Sequence, residues 1–214
     1  MNDMMKQKLF TLLLALVANV GAMFAWDYEH VPIGDLYYNL DAINQTAEVT
    51  RKEELNSYSG LTIANIPTSV EYNSLNYSVT SIGDGAFAWL NGLTSLTIGN
   101  SVKSIGNYAF VGCNHLTSLT IPNSVISVGE AAFSGCSALT QVTIPYSVLS
   151  IGEFAFLGCS NLTSVLIPNS IPDIKRGAFA GCNKLKEIII PQGTKQRFEQ
   201  MEGLNGLQAL LVEK

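Results

Sequence analysis

From Ser81 to Lys195 the chain repeats itself in five blocks of equal length without a gap: 81–103, 104–126, 127–149, 150–172 and 173–195. The second block reads SIGNYAFVGCNHLTSLTIPNSVI and the fourth SIGEFAFLGCSNLTSVLIPNSIP. A unit of this size cannot bury its own apolar side, so units of constant length must stack as successive turns of one coil around a shared core. That requirement excludes most globular folds before any residue is considered singly.

Aligning the blocks predicts the core. Phe87, Phe110, Phe133, Phe156 and Phe179 share one column, each preceded by Ala. Leu93, Leu116, Leu139, Leu162 and Leu185 form a second. Leu96, Leu119, Val142, Val165 and Ile188 form a third, and after one intervening position come Ile98, Ile121, Ile144, Ile167 and Ile190. The last two columns alternate as a half-buried strand does, which turns the side chains between them away from the core. Glycines after SI and after AFx, with prolines closing the strand, mark the corners. Each coil is therefore predicted to hold one defined strand, a second short extended stretch around SIG, and a tight helical or 3₁₀ bend at AFxGC.

The pattern AFxGCxxLTxxxIPxSVxxIG resembles the BspA-like leucine-rich repeats of surface and secreted bacterial proteins, over residues 58–195. The resemblance implies a leucine-rich-repeat solenoid, mainly β, with short helical or 3₁₀ turns, and an adhesive role toward host or bacterial surface proteins, extracellular-matrix components among them. Five coils over 81–195 lie between an N-terminal cap at 26–80 and a C-terminal cap at 196–214. In the first cap, LYYNLD and TAEVTR alternate as a β-hairpin would, and LTIANIPTSV is the strand half of a repeat interrupted by EYNSLNYS, an inserted hairpin. In the second, KQRFEQM is expected as a short helix and LQALLVEK as a final strand or tail.

Lys6 and Lys8, the apolar run from Leu9 and the small residues Gly21, Ala22 and Ala25 read as a secretory signal peptide over 1–22, with cleavage after Ala25 as the alternative. Asp3 is out of place there, and a start at Met5 gives a cleaner leader. The rival reading is an uncleaved anchor, for which the 17 residues from Leu9 to Ala25 stand at the bottom of the range that spans a bilayer. The expected location is secreted or cell surface, with a periplasm as the alternative and no transmembrane anchor after cleavage.

Charged residues make up 14% of the chain and the net charge is -5, which gives nucleic acid no electrostatic footprint. Cys113, Cys136, Cys159 and Cys182 recur once per block in a column where the first block has Leu90, so buried free thiols are expected over disulfides. Zinc is not expected, since no histidine shares that column. His30 and His115 have no nucleophile at a motif spacing, and Asp84, Glu130 and Glu153 fall in one corner column and do not face each other across a cleft. No enzyme, metal or cofactor is expected.

The functional lead is the outward strand rows: Ser95, Ser118, Gln141, Ser164 and Glu187, then Thr97, Thr120, Thr143, Leu166 and Ile189. They are nearly uncharged and suit a protein or glycan ligand, although Ser and Thr also simply favour and solvate strands. Tyr108 and Phe154, two positions before the core Phe, and Tyr146 on a turn are the candidate aromatic contacts. Self-association into a scaffold is the alternative to ligand binding.

Overall fold

A computed structural model describes residues 26–51 and 58–214; the signal peptide read at the N-terminus lies outside the described residues. The head is an antiparallel meander of β1 (Tyr28–Ile33), β2 (Leu36–Asp41) and β3 (Thr46–Thr50). β2 and β3 are the hairpin predicted from the alternation of LYYNLD and TAEVTR. After β4 (Ile63–Ile66), the strands β5 (Ser69–Tyr72) and β6 (Leu75–Ile82) pair antiparallel, which is the inserted hairpin. Its turn residues Asn73 and Ser74 have φ of 51° and 62°, the double positive φ that matches strand twist in a two-residue connection.

The coils then supply two kinds of strand. One kind forms the LTI row: β7 (Ser95–Ile98), β9 (Leu119–Thr120), β11 (Gln141–Thr143), β13 (Ser164–Leu166) and β14 (Glu187–Ile190). The other is the short SIG pair: β8 (Ser104–Ile105), β10 (Ser127–Val128) and β12 (Ser150–Ile151). The SIG ladder runs on from the head in the order β1-β2-β3-β6-β8-β10-β12, parallel from β3 onward. The segment beyond the repeats forms the helix α1 (Lys195–Glu199) and β15 (Leu211–Glu213), where a helix and a strand are expected. β15 pairs with β14 at Ile188↔Leu211, which keeps the one-block step of Val165↔Ile188 after the sequence pattern has gone.

The predicted columns are the core. The five Phe side chains are 0–1% exposed, and their rings stack at centroid spacings of 5.0–5.4 Å. Tyr58 continues the stack into the head, 5.2 Å from Phe87. Its hydroxyl donates to the Thr50 carbonyl and accepts from the Tyr37 N–H at 2.9 Å. An aromatic with a polar tip can end an apolar stack because its ring packs inward while its hydroxyl satisfies backbone groups of the neighbouring element.

The four cysteines are free and buried. Each thiol donates to the carbonyl of the core Phe in the coil before it, as Cys136 does to Phe110 at 3.3 Å. Burial pushes the Cys113 thiol up to about 12 and Cys182 to about 11, and raises Cys136 and Cys159 further. The thiolate is the nucleophile, so at pH 8 the folded protein is expected to leave all four thiols unmodified by a disulfide reagent. All four should react in concentrated guanidinium. Rapid modification of any one in the native state would contradict the burial.

The two glycine columns do different work, a distinction that residue type alone does not reveal. Gly112, Gly135, Gly158 and Gly181 have φ of 70–73°, as a corner glycine should. The glycines after SI do not: they are needed for contact, since a Cβ on Gly129 would lie 2.6 Å from backbone of the coil before. In the last coil the position is Lys175, and there the ladder loosens to a single bridge, Ile151↔Ile174, with a 3.3 Å bond from the Lys175 N–H to Ile151.

The AFxGC bend is a run of tight turns closed by short-range bonds, such as Cys113 N–H to the Phe110 carbonyl. Alternate N–H groups of this arc point along the solenoid instead. Tyr108, Phe110 and Gly112 donate to the carbonyls of Glu130, Ala132 and Ser134 in the next coil at 2.7 Å, and the same three-bond set recurs at each of the four coil interfaces. Every bond in it runs from one coil to the coil after.

Candidate functional site

Both outward rows stand in register. Gln141 pairs with Ser164 and Ser164 with Glu187, while Thr120, Thr143, Leu166 and Ile189 form the adjacent row. Ser95, Thr97, Ser118, Thr120, Gln141, Thr143 and Leu166 are exposed; Ser164, Glu187 and Ile189 are half-buried. The alternation that placed them outward is the strand's own period. The one acid in these rows is engaged: Glu187 accepts from Lys214 at 2.9 Å and from Ser164 at 3.2 Å, and the ammonium holds its carboxyl below the usual range.

The face is interrupted between β7 and β9. β7 pairs with β4, β9 pairs with β11, and no ladder joins β7 to β9. Between the last coils the Thr163 N–H donates to the Thr140 carbonyl and the Lys186 N–H to the Thr163 carbonyl, both at 2.9 Å; neither Thr140 to Thr117 nor Thr117 to Thr94 makes such a bond. The core residues beside the seam show the opening, with Leu96 at 9% and Leu119 at 7% exposed against 0% for Val165 and Ile188. A shallow groove of about 700 Å³ runs across this seam, lined by Thr97, Asn100, Thr120, Asn123, Thr143 and Tyr146. The Tyr146 ring is 71% exposed at its edge.

The other two aromatics are not part of that face. Tyr108 and Phe154 lie on the arc with φ of 56° and 57°, in a column that also holds Gly85, Ala131 and Gly177. The Tyr108 hydroxyl donates to Glu130 of the next coil. The Phe154 ring is half-buried, with the Arg176 guanidinium 5.3 Å from its centroid, and Arg176 pairs with Glu153 at 3.0 Å. These contacts make Phe154 a packing residue between coils.

Trp89 was not among the expected aromatic contacts. It sits where the other coils have glycine, keeps that left-handed backbone with φ of 63°, and is 66% exposed. Its indole lies over Gly112, so closely that a Cβ there would overlap the ring. A bulky residue in this region of backbone space is rare, and a Trp in a column of glycines was the signal available. His115 is exposed, with its Nδ1 against the Asn91 carbonyl. Among the described residues no three His, Cys, Asp or Glu side chains gather to hold a metal ion, and no helix is long and apolar enough to cross a membrane.

Coils that each lay one strand on a shared sheet and close through a tight arc define a leucine-rich-repeat solenoid. The chain belongs to the BspA type leucine-rich-repeat family, whose pattern matches residues 80–201 in six copies. The matched span runs six residues beyond the five coils of the sequence reading, to Met201. The fold is similar to that of a leucine-rich repeat protein of T. pallidum, at 26% identity over 75% of this chain and 71% of that one, TM-score 0.65. A leucine-rich repeat protein from Bacteroides ovatus shares 33% identity over 75% of this chain and 49% of its own, TM-score 0.57. A leucine rich cell surface protein from Faecalibacterium prausnitzii has the same fold at 24% identity, over 79% and 55% of the two chains, TM-score 0.51. This chain thus spans about half the length of the last two. No curated protein matches it.

Proposed function

We propose that this chain is a non-catalytic binding module exported to the cell surface, and that it holds a protein or glycan ligand on its outward strand rows. The observation that carries the reading is the in-register, nearly uncharged face of Gln141, Thr143, Ser164 and Leu166. Such a face has polar groups for hydrogen bonding and little desolvation cost for charge. Membership of a family with surface proteins among its members supports the location, and the leader read from the sequence supports export.

The test is binding of the purified protein to an array of extracellular-matrix proteins and glycans. A variant with Gln141, Thr143, Ser164 and Leu166 all changed to Lys is run beside it and checked by circular dichroism for its β content. Saturable binding to the parent, reduced at least tenfold in the folded variant, is the expected result. Equal binding by both proteins would remove the strand rows from the ligand site. Binding to no target would favour the scaffold alternative, with sedimentation velocity as the next measurement.

A further inference from the structure

The arc ladder ends without an acceptor. In the fourth coil Phe154, Phe156 and Gly158 donate to the carbonyls of Arg176, Ala178 and Ala180 at 2.8–3.1 Å. The corresponding donors of the fifth coil are the N–H groups of Gly177, Phe179 and Gly181, and among the described residues none of them has an acceptor. The reason lies in the C-terminal cap. It restores the strand side through β15, and its Gly203 N–H donates to Ile174 at 2.9 Å on the SIG side, but the residues between β14 and β15 fold as α1 and two short 3₁₀ turns and lay down no further arc. A slot of about 400 Å³ is left between the arc and residues 202–207 of the cap. The column residues beside it are more open than their equivalents, with Cys182 and Leu185 at 8% against 0% for Cys159 and Leu162.

The geometry points to this slot as a binding site for a peptide segment folded as the arc of a coil is, which would supply alternate backbone carbonyls to Gly177, Phe179 and Gly181 as a next coil does. Three features choose that occupant. The donors fall on alternate residues, so they stand about 5–7 Å apart. A compact anion reaches two of them at most, whereas the alternate carbonyls of an arc meet all three, as they do at the four coil interfaces. The lining beside the donors is Gly177, Ala180 and Gly181, none with a side chain beyond Cβ. The slot also carries no net charge to select an ion: Arg176, already paired with Glu153, and Glu202 both line it. Binding here is one arc's worth of the solenoid's own stacking, supplied in trans, and it is independent of the strand rows on which the proposed function rests.

The probe is a capped synthetic peptide of residues 152–160, carrying Cys159→Ser, because that arc makes the same contacts within the coil stack. Amide hydrogen exchange in the protein alone should show Gly177, Phe179 and Gly181 exchanging at least a hundredfold faster than Phe154, Phe156 and Gly158. Titration with the peptide should shift those three amides and slow their exchange, with Ala180→Trp weakening the affinity at least tenfold. Ala180 is exposed, so the variant fills the slot and spares the core. Slow exchange of the three amides in the free protein would overturn the proposal. So would no shift at millimolar peptide, equal affinity in Ala180→Trp, or equal shifts with phosphate or acetate alone. Loss of strand-face binding in the lysine variant leaves this site unaffected, so the two readings fail separately.

Discussion

Phe133→Ala is expected to lower the free energy of unfolding by about 3–5 kcal/mol, the cost of a cavity left by a buried ring. Phe133 is fully buried and stacks on Phe110 at 5.2 Å and Phe156 at 5.4 Å, so its removal takes contacts from both neighbouring coils. Phe179, equally buried, has one ring partner, Phe156. Stability in a solenoid is roughly the sum of unit and nearest-neighbour terms. Phe179→Ala should therefore cost less than Phe133→Ala. Urea denaturation followed by circular dichroism measures both, and equal losses would show that stacking between rings adds nothing to burial.

Gly152→Ala is expected to cost about 3 kcal/mol, the upper end of ordinary overpacking. Its added Cβ would meet the Glu130 nitrogen and the Gly129 carbonyl carbon at 2.5 Å, all backbone, so only a separation of the coils can make room. The SIG ladder bond from the Gly152 N–H to the Val128 carbonyl, now 2.9 Å, would lengthen with it. Gly135→Ala is the contrasting case. Its φ is +73° and its nearest neighbour would be 3.5 Å away, so it suffers only the left-handed backbone term of about 1–2 kcal/mol. Ala131 already occupies such a conformation at φ 48°. Equal costs at the two glycines would mean that conformation, not contact, governs both.

What could be read from the sequence was whatever repeats in side-chain type. The Phe, Leu and strand columns, the outward rows and the thiol ladder all follow from the fixed block length. Tyr58 was missed because it lies more than one block ahead of Phe87 and falls out of register, although it extends the same stack. The seam between β7 and β9 left no mark, since both strands keep the column pattern and differ only in backbone pairing. The groove at that seam, unlike the Tyr146 beside it, was therefore not foreseen. The Phe154 ring was legible as an aromatic but not as a partner of Arg176, because that contact depends on how one coil sits on the next. The arc ladder is made by backbone atoms alone and has no sequence signature.

That ladder also gives the solenoid an electrical direction. In the three sheets, successive peptide groups point to opposite neighbours and their dipoles largely cancel. On the arc, three peptide groups per coil interface point the same way, from each coil toward the next. Aligned peptide dipoles add head to tail, as they do along an α-helix. The C-terminal end of the arc is thus a positive pole and the head end a negative one, in a chain whose charged side chains are few.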